Sequence, residues 1–134
     1  MLIATNNDEY SVDVGSASFL FCFYSTLVTH IPNFDKKLPN LFRLLQEGHL
    51  TADSCSQAAK ELNTARDLLS NLPPDNVVWD MAQPEKQPPW GSNIAASITS
   101  LGNYFVTANG EDLVFEILTL LQVAEKNNVG VAVK

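Results

Sequence analysis

Five of the seven prolines fall between residues 73 and 89: Pro73, Pro74, Pro84, Pro88 and Pro89. Proline has no amide hydrogen and fixes its own φ, so neither a helix nor an interior strand runs through such a stretch. Regular structure must come from the chain on either side. Both tryptophans, Trp79 and Trp90, lie within residues 73 to 93, the full extent of this interruption. Val77-Val78-Trp79 has the composition of a short strand, whereas Gln83 to Gly91 cannot be regular structure. No second domain follows, so the segment reads as a long surface loop within one domain spanning residues 1–134. Loops of this length inside a domain are uncommon and often functional.

Composition limits the rest. A chain of 134 residues with 46% apolar and 17% charged residues can bury a core without staples, and it is too apolar for disorder. Cys22 and Cys55 cannot make a disulfide framework and read as buried thiols. The first nine residues lack a basic start and do not resemble a secretory signal. The longest apolar stretch, Ala17 to Val28, contains Ser18, Ser25 and Thr26 and falls short of the ~20 residues a bilayer span needs. A cytoplasmic protein with no membrane partner is the expectation.

The fold class expected is α+β. Leu2 to Thr5, a turn at Asn6 to Glu9, and the alternating Tyr10-Ser11-Val12-Asp13-Val14 predict a β-hairpin. Val129 to Val133 predicts a buried final strand pairing with it, and a further strand is possible near Val77. About four helices should pack on this small sheet. One runs over 16–31, capped by Ser16 or Ser18 and ended by Pro32. A short one over 40–46 closes at Gly48. The clearest covers 51–72, where Cys55, Ala58, Leu62, Ala65, Leu69 and Leu72 recur at steps of three and four behind a Thr51 cap. The last, over 111–126, is so apolar that it should be central to the core, ending at Asn127-Asn128. Ile94 to Gly102 has room for a helical turn or two.

Motifs of catalysis are missing. There is no Cys-x-x-Cys, no His-x-x-x-His, no glycine-rich phosphate loop and no Gly-x-Ser-x-Gly elbow. His30 falls at a helix end and His49 in a turn, so neither suggests a metal site, and no cofactor is implied. Glu111, Asp112 and Glu116 are explained by a helix start, where acids suit the positive end of the dipole.

Charge is distributed unevenly. The chain has fifteen acids and eight bases, a net charge of −7. From Asp67 to Glu125 eight acids meet one base, Lys86, and the remainder is neutral. Nucleic acid is therefore an unsuitable partner. A face of one sign either solubilises or steers an oppositely charged protein. Within the acidic half, Trp79-Asp80 and Pro88-Pro89-Trp90-Gly91 set large aromatics on rigid backbone, the composition of an interface anchor.

Several stretches resemble a known family. They are Val12-Asp13-Val14-Gly15-Ser16, the segment Pro39 to Leu50, Leu72-Pro73-Pro74, and above all Ile98-Thr99-Ser100-Leu101-Gly102-Asn103-Tyr104-Phe105-Val106-Thr107-Ala108-Asn109-Gly110 followed by Asp112-Leu113. In these the chain is similar to the bacterial immunity proteins of polymorphic-toxin and contact-dependent growth-inhibition systems, in particular the immunity protein 70 family. The resemblance implies a non-enzymatic antidote that binds the C-terminal toxin domain of a large effector, often a basic nuclease. It brings no catalytic motif with it. Joined to the charge pattern, it points to toxin contacts at Asp75, Trp79, Asp80, Glu85, Trp90, Asp112 and Glu116. Two other classes compete. A small hydrolase would need carboxylates in a deep pocket, and an acidic adaptor would offer Pro84 to Pro89 to a proline-recognising module.

Overall fold

A computed structural model describes residues 1–134. The expected hairpin is formed by β1 (Leu2–Thr5) and β2 (Ser11–Asp13), with Ile3 opposite Val12. Asp8 takes the left-handed conformation in its turn, at φ 57°. The C-terminal strand, Val131–Val133, lies antiparallel to β1, with Ala4 opposite Ala132. A two-residue strand that the periodicity does not reveal, β3 (His49–Leu50), pairs with the other edge of that strand, which is β4. The sheet is antiparallel throughout, in the order β2-β1-β4-β3.

Five helices accompany the sheet. In α1 (Ala17–His30) the Ser16 side chain caps the Phe19 amide. The four-residue α2 (Phe34–Lys37) was not expected and is too short to leave a period. In α3 (Pro39–Glu47) proline opens the helix, and Gly48 ends it at φ 83°. The expected helix over 51–72 is shorter, and α4 is Cys55–Leu69. Ala52–Ser54 form a tighter 3-10 turn before it. Thr51 does not cap it, because its hydroxyl is spent on the Asp53 carboxylate and the Ser54 hydroxyl. In α5 (Leu113–Asn127) Asp112 is the cap, accepting from the Phe115 amide, and Asn128 closes the helix in the left-handed region. Glu111 therefore lies outside the helix.

The expected strand near Val77 does not form. Val78 instead lies against α1, donating its amide to Thr26 Oγ1, 3.0 Å away, and its carbonyl is 3.2 Å from the same hydroxyl. A side chain thus takes the place of a neighbouring strand. Residues 94 to 103 make turns and a 3-10 segment at Leu101–Asn103, and Val106 makes a single antiparallel bridge to Asp112.

One continuous core of 30 buried residues joins these elements. As its composition predicted, α5 is central, contacting α4 and both strands of the hairpin. Phe23 and Phe105 meet edge to face at 4.9 Å between ring centroids. Gly102 is required by close packing, since a β-carbon there would strike Ser70 at the end of α4. Cys22 and Cys55 are free, buried thiols, as expected. No helix is long and apolar enough to cross a membrane.

Candidate functional site

The proline-rich loop is fastened to the body of the protein. Three side chains of α1 hold its first part. His30 Nε2 lies 2.7 Å from the Asn76 carbonyl and must donate to it, Thr26 grips Val78, and Ser25 Oγ accepts from the Met81 amide at 3.2 Å. Thr26 and His30 are four residues apart and share one stripe of the helix. Trp90 holds the second part. Its Nε1–H donates to the Tyr104 hydroxyl at 2.7 Å, and its ring meets Trp79 edge to face at 5.6 Å. Between these anchors the chain closes in turns, with Lys86 bonded to the Gln83 carbonyl and Gly91 to that of Pro88. Turns of this kind, with Pro88 buried, do not present the extended polyproline helix that an adaptor reading of Pro84 to Pro89 requires.

Burial raises the Tyr104 hydroxyl above the ordinary tyrosine range, and the hydrogen bond from Trp90 partly offsets it. The neutral phenol is therefore held as an acceptor for the indole. Trp90→Phe keeps an aromatic ring and removes the donor. It should lower stability by about 1 kcal/mol in urea denaturation. A variant as stable as the wild type would show that this hydrogen bond does not brace the loop.

Three hollows converge on the first turns of α1. The largest, about 520 Å³, is walled by Phe19, Trp90, Ile94, Ile98, Tyr104 and Val106, among others. Its lining contains no carboxylate, histidine or cysteine. The hydroxyls that reach it are already used: Ser16 caps α1, Thr107 accepts from the Glu111 amide, and Tyr104 accepts from Trp90. It offers mainly apolar surface, and carboxylates occur only in the other hollows, at Glu47, Asp80, Asp75 and Asp35. Two smaller hollows, of about 360 and 270 Å³, share Ala17 and Phe21. No group of three or more His, Cys, Asp or Glu side chains is arranged to hold a metal ion.

Of the seven residues singled out from the sequence, four line hollows, spread over three of them. Trp79 and Asp80 line the one of about 270 Å³, and Trp90 lines the largest. Asp75 lines a small hollow of about 160 Å³ that shares Ile94 and Tyr104 with the largest one. Asp112 is joined to its rim through the Val106 bridge. Glu85 and Glu116 border none of the hollows. Trp79 and Trp90 are half-buried, with much of each ring committed inward.

The ion pairs sharpen the charge pattern. There are three: the amino terminus with Asp13, Arg43 with Glu47, and Lys134 with Asp8. All use acids from outside the acidic stretch. None of the eight acids from Asp67 to Glu125 has a cation within 4.0 Å. Phe21 and Met81, both exposed beside Asp80, were not anticipated from the sequence. Phe21 is hidden in an apolar run that reads as core on every face.

The family model described as Immunity protein 70 matches residues 5–133. The chain belongs to that family. The match spans every stretch that carried the resemblance and almost the whole fold. No curated protein and no solved structure matches the chain. Membership in the immunity protein 70 family makes this an immunity protein and implies a cognate toxin as its partner.

Proposed function

We propose that the chain neutralises the C-terminal toxin domain of a large effector by stoichiometric binding in the cytoplasm, that the toxin is a basic nuclease, and that its approach is steered by the acidic half. The supporting observation is the absence of any internal cation partner for the eight acids between Asp67 and Glu125. Unpaired acids project a field that a folded nuclease, with a cationic groove built for phosphates, would meet favourably. Asp75, Asp80, Glu85, Asp112 and Glu116 supply charge, and Trp79 and Trp90 supply apolar contact. The loop carrying most of them is already held by Ser25, Thr26, His30 and Tyr104, so little ordering entropy is lost on binding. The reading involves no nucleic acid, membrane, metal or cofactor.

The test takes the C-terminal domain of a large effector, identified by a search of the genes neighbouring this one, in a catalytically inactive form, and mixes it rapidly with the immunity protein. Between about 50 and 500 mM salt the association rate should fall at least about tenfold, with little change in dissociation. An association rate independent of salt would remove steering from the account. Absence of binding would remove the immunity reading for this pair.

A further inference from the structure

We propose that Phe21 is the apolar anchor of the toxin contact, flanked by Asp80, and that it receives a basic patch in which an aliphatic or aromatic side chain lies next to a lysine or arginine. The inference rests on the immunity reading above and assigns it a surface. Phe21 is 40% exposed although it sits in the most apolar helix run of the chain. It stands between two hollows. Met1, Tyr24, Leu45 and Glu47 are among the walls of one, and Trp79 and Asp80 line the other. Met81, also 40% exposed, is held nearby, because its amide is bonded to Ser25, one turn along α1 from Phe21. A phenylalanine and a methionine exposed together on a small monomer mark a contact surface better than either alone.

Charge selects the occupant. No lysine or arginine lines either hollow. The amino terminus is occupied with the Gly15 carbonyl at 3.0 Å. Glu47 is only loosely paired with Arg43, at 4.0 Å, and Asp80 has no cation at all. A ridge between two hollows, with a carboxylate in each, suits a surface that places cations on either side of an apolar recess. It repels a second acidic copy of the same chain. Beside the apolar contact proposed above, the tryptophans have a bracing part. Trp90 is tied to Tyr104 and packed on Trp79, so the pair braces the loop that carries Asp80 and Met81.

The experiment compares wild type, Phe21→Ala, Phe21→Lys, Asp80→Asn and the control Leu68→Ala by calorimetry against the effector domain used above. Leu68 is 39% exposed on α4 and lines no hollow. Phe21→Ala should weaken binding about thirtyfold, and Phe21→Lys further, while Leu68→Ala changes it less than roughly threefold. Asp80→Asn should slow association and flatten its salt dependence. Equal thermal midpoints show that the fold is retained, and either Phe21 variant suffices if the other is unstable. If the wild type binds and both Phe21 variants bind equally well, this surface is wrong and the immunity reading stands. If the wild type does not bind, both fall. A wild-type dimer in sedimentation that Phe21→Lys dissociates would assign the ridge to a second copy and overturn the proposal.

Discussion

Glu61→Ala should cost the fold about 3 kcal/mol or more, the largest loss expected of any single substitution considered. Glu61 lies on α4, only 4% exposed, yet it makes no salt bridge. Its carboxylate plugs the start of α3. Oε1 accepts from the Asn40 amide at 2.8 Å and from the Leu41 amide at 3.0 Å, and Oε2 accepts from Asn40 Nδ2 at 2.8 Å. The first amides of a helix have no partner within it, and the positive end of the dipole favours an anion there. Pro39 begins α3 and has no amide to satisfy, so two of the orphans that remain are met by one side chain from another helix. Removal strands buried donors, each worth about 1 to 3 kcal/mol. Glu61→Gln should fall between. Its amide oxygen can still accept from the backbone, but its nitrogen faces the Asn40 amide nitrogen, donor to donor. Asn40 cannot turn over freely to relieve this, because its Oδ1 already accepts from Arg43. Urea midpoints at constant slope would measure both variants, and a Glu61→Ala protein within about 1 kcal/mol of wild type would refute the cap.

Glu61 also shows where sequence reasoning runs out. The long helix that carries it was legible, because its apolar residues recur every three or four positions. The apolar composition of α5 placed it at the centre, and period-two alternation marked the hairpin with which the final strand was expected to pair. What periodicity cannot report is a polar residue turned inward. Glu61 looks like one more member of a hydrated face, and only the position of α3, twenty residues away in the chain, makes it a cap. Ser25, Thr26 and His30 are similar. Their hydroxyls and imidazole stand on one helix, and nothing local reveals that their partners lie about fifty residues on. Short elements fail for another reason. A strand of two residues or a helix of four leaves no period, so β3 and α2 owe their existence to β4 and to the turn at Asn33. Of the candidate site, composition revealed the acidic half and the loop. It could not say that Trp90 points its donor inward, or that Phe21, in the middle of a core-like run, points outward.

Those inward hydroxyls bear on function. A surface that must recognise one partner quickly gains from being built before contact. Here the charged loop is fastened by side-chain hydrogen bonds, most of them part-buried, and no buried side-chain polar atom lacks a partner. Long-range attraction and a preformed contact surface act on different steps. The first raises the rate of encounter, and the second keeps the complex from coming apart. Changes among Asp75, Asp80, Glu85, Asp112 and Glu116 should therefore appear mainly in association, and changes at Phe21 mainly in dissociation.

Stability should also decline steeply above pH 9, and Cys22 should account for most of the slope. Burial pushes its thiol from 9.0 up to about 12, against a smaller opposing effect of the hydrogen bond with Thr26. Burial likewise raises Cys55, Tyr24 and Tyr104, with nearby carboxylates adding to the first two: Glu125 and Asp53 for Cys55, Asp35 for Tyr24. Each of these groups is neutral when protonated. In the unfolded chain Cys22 loses its proton near pH 9, while in the fold it keeps it until about 12. Across that window the unfolded state binds fewer protons than the native state, so raising the pH favours unfolding. Below pH 9 both states hold the proton and the effect vanishes. The slope from this one thiol approaches about 1.4 kcal/mol per pH unit, so a rise from pH 9 to 11 should remove about 2 to 3 kcal/mol. Cys22→Ala has a packing cost of its own, but that cost does not depend on pH. Its urea midpoint should fall with pH much less than that of the wild type. Two parallel curves would show that the thiol is not the source, and a flat wild-type curve to pH 11 would show that Cys22 ionises as freely inside the core as in water.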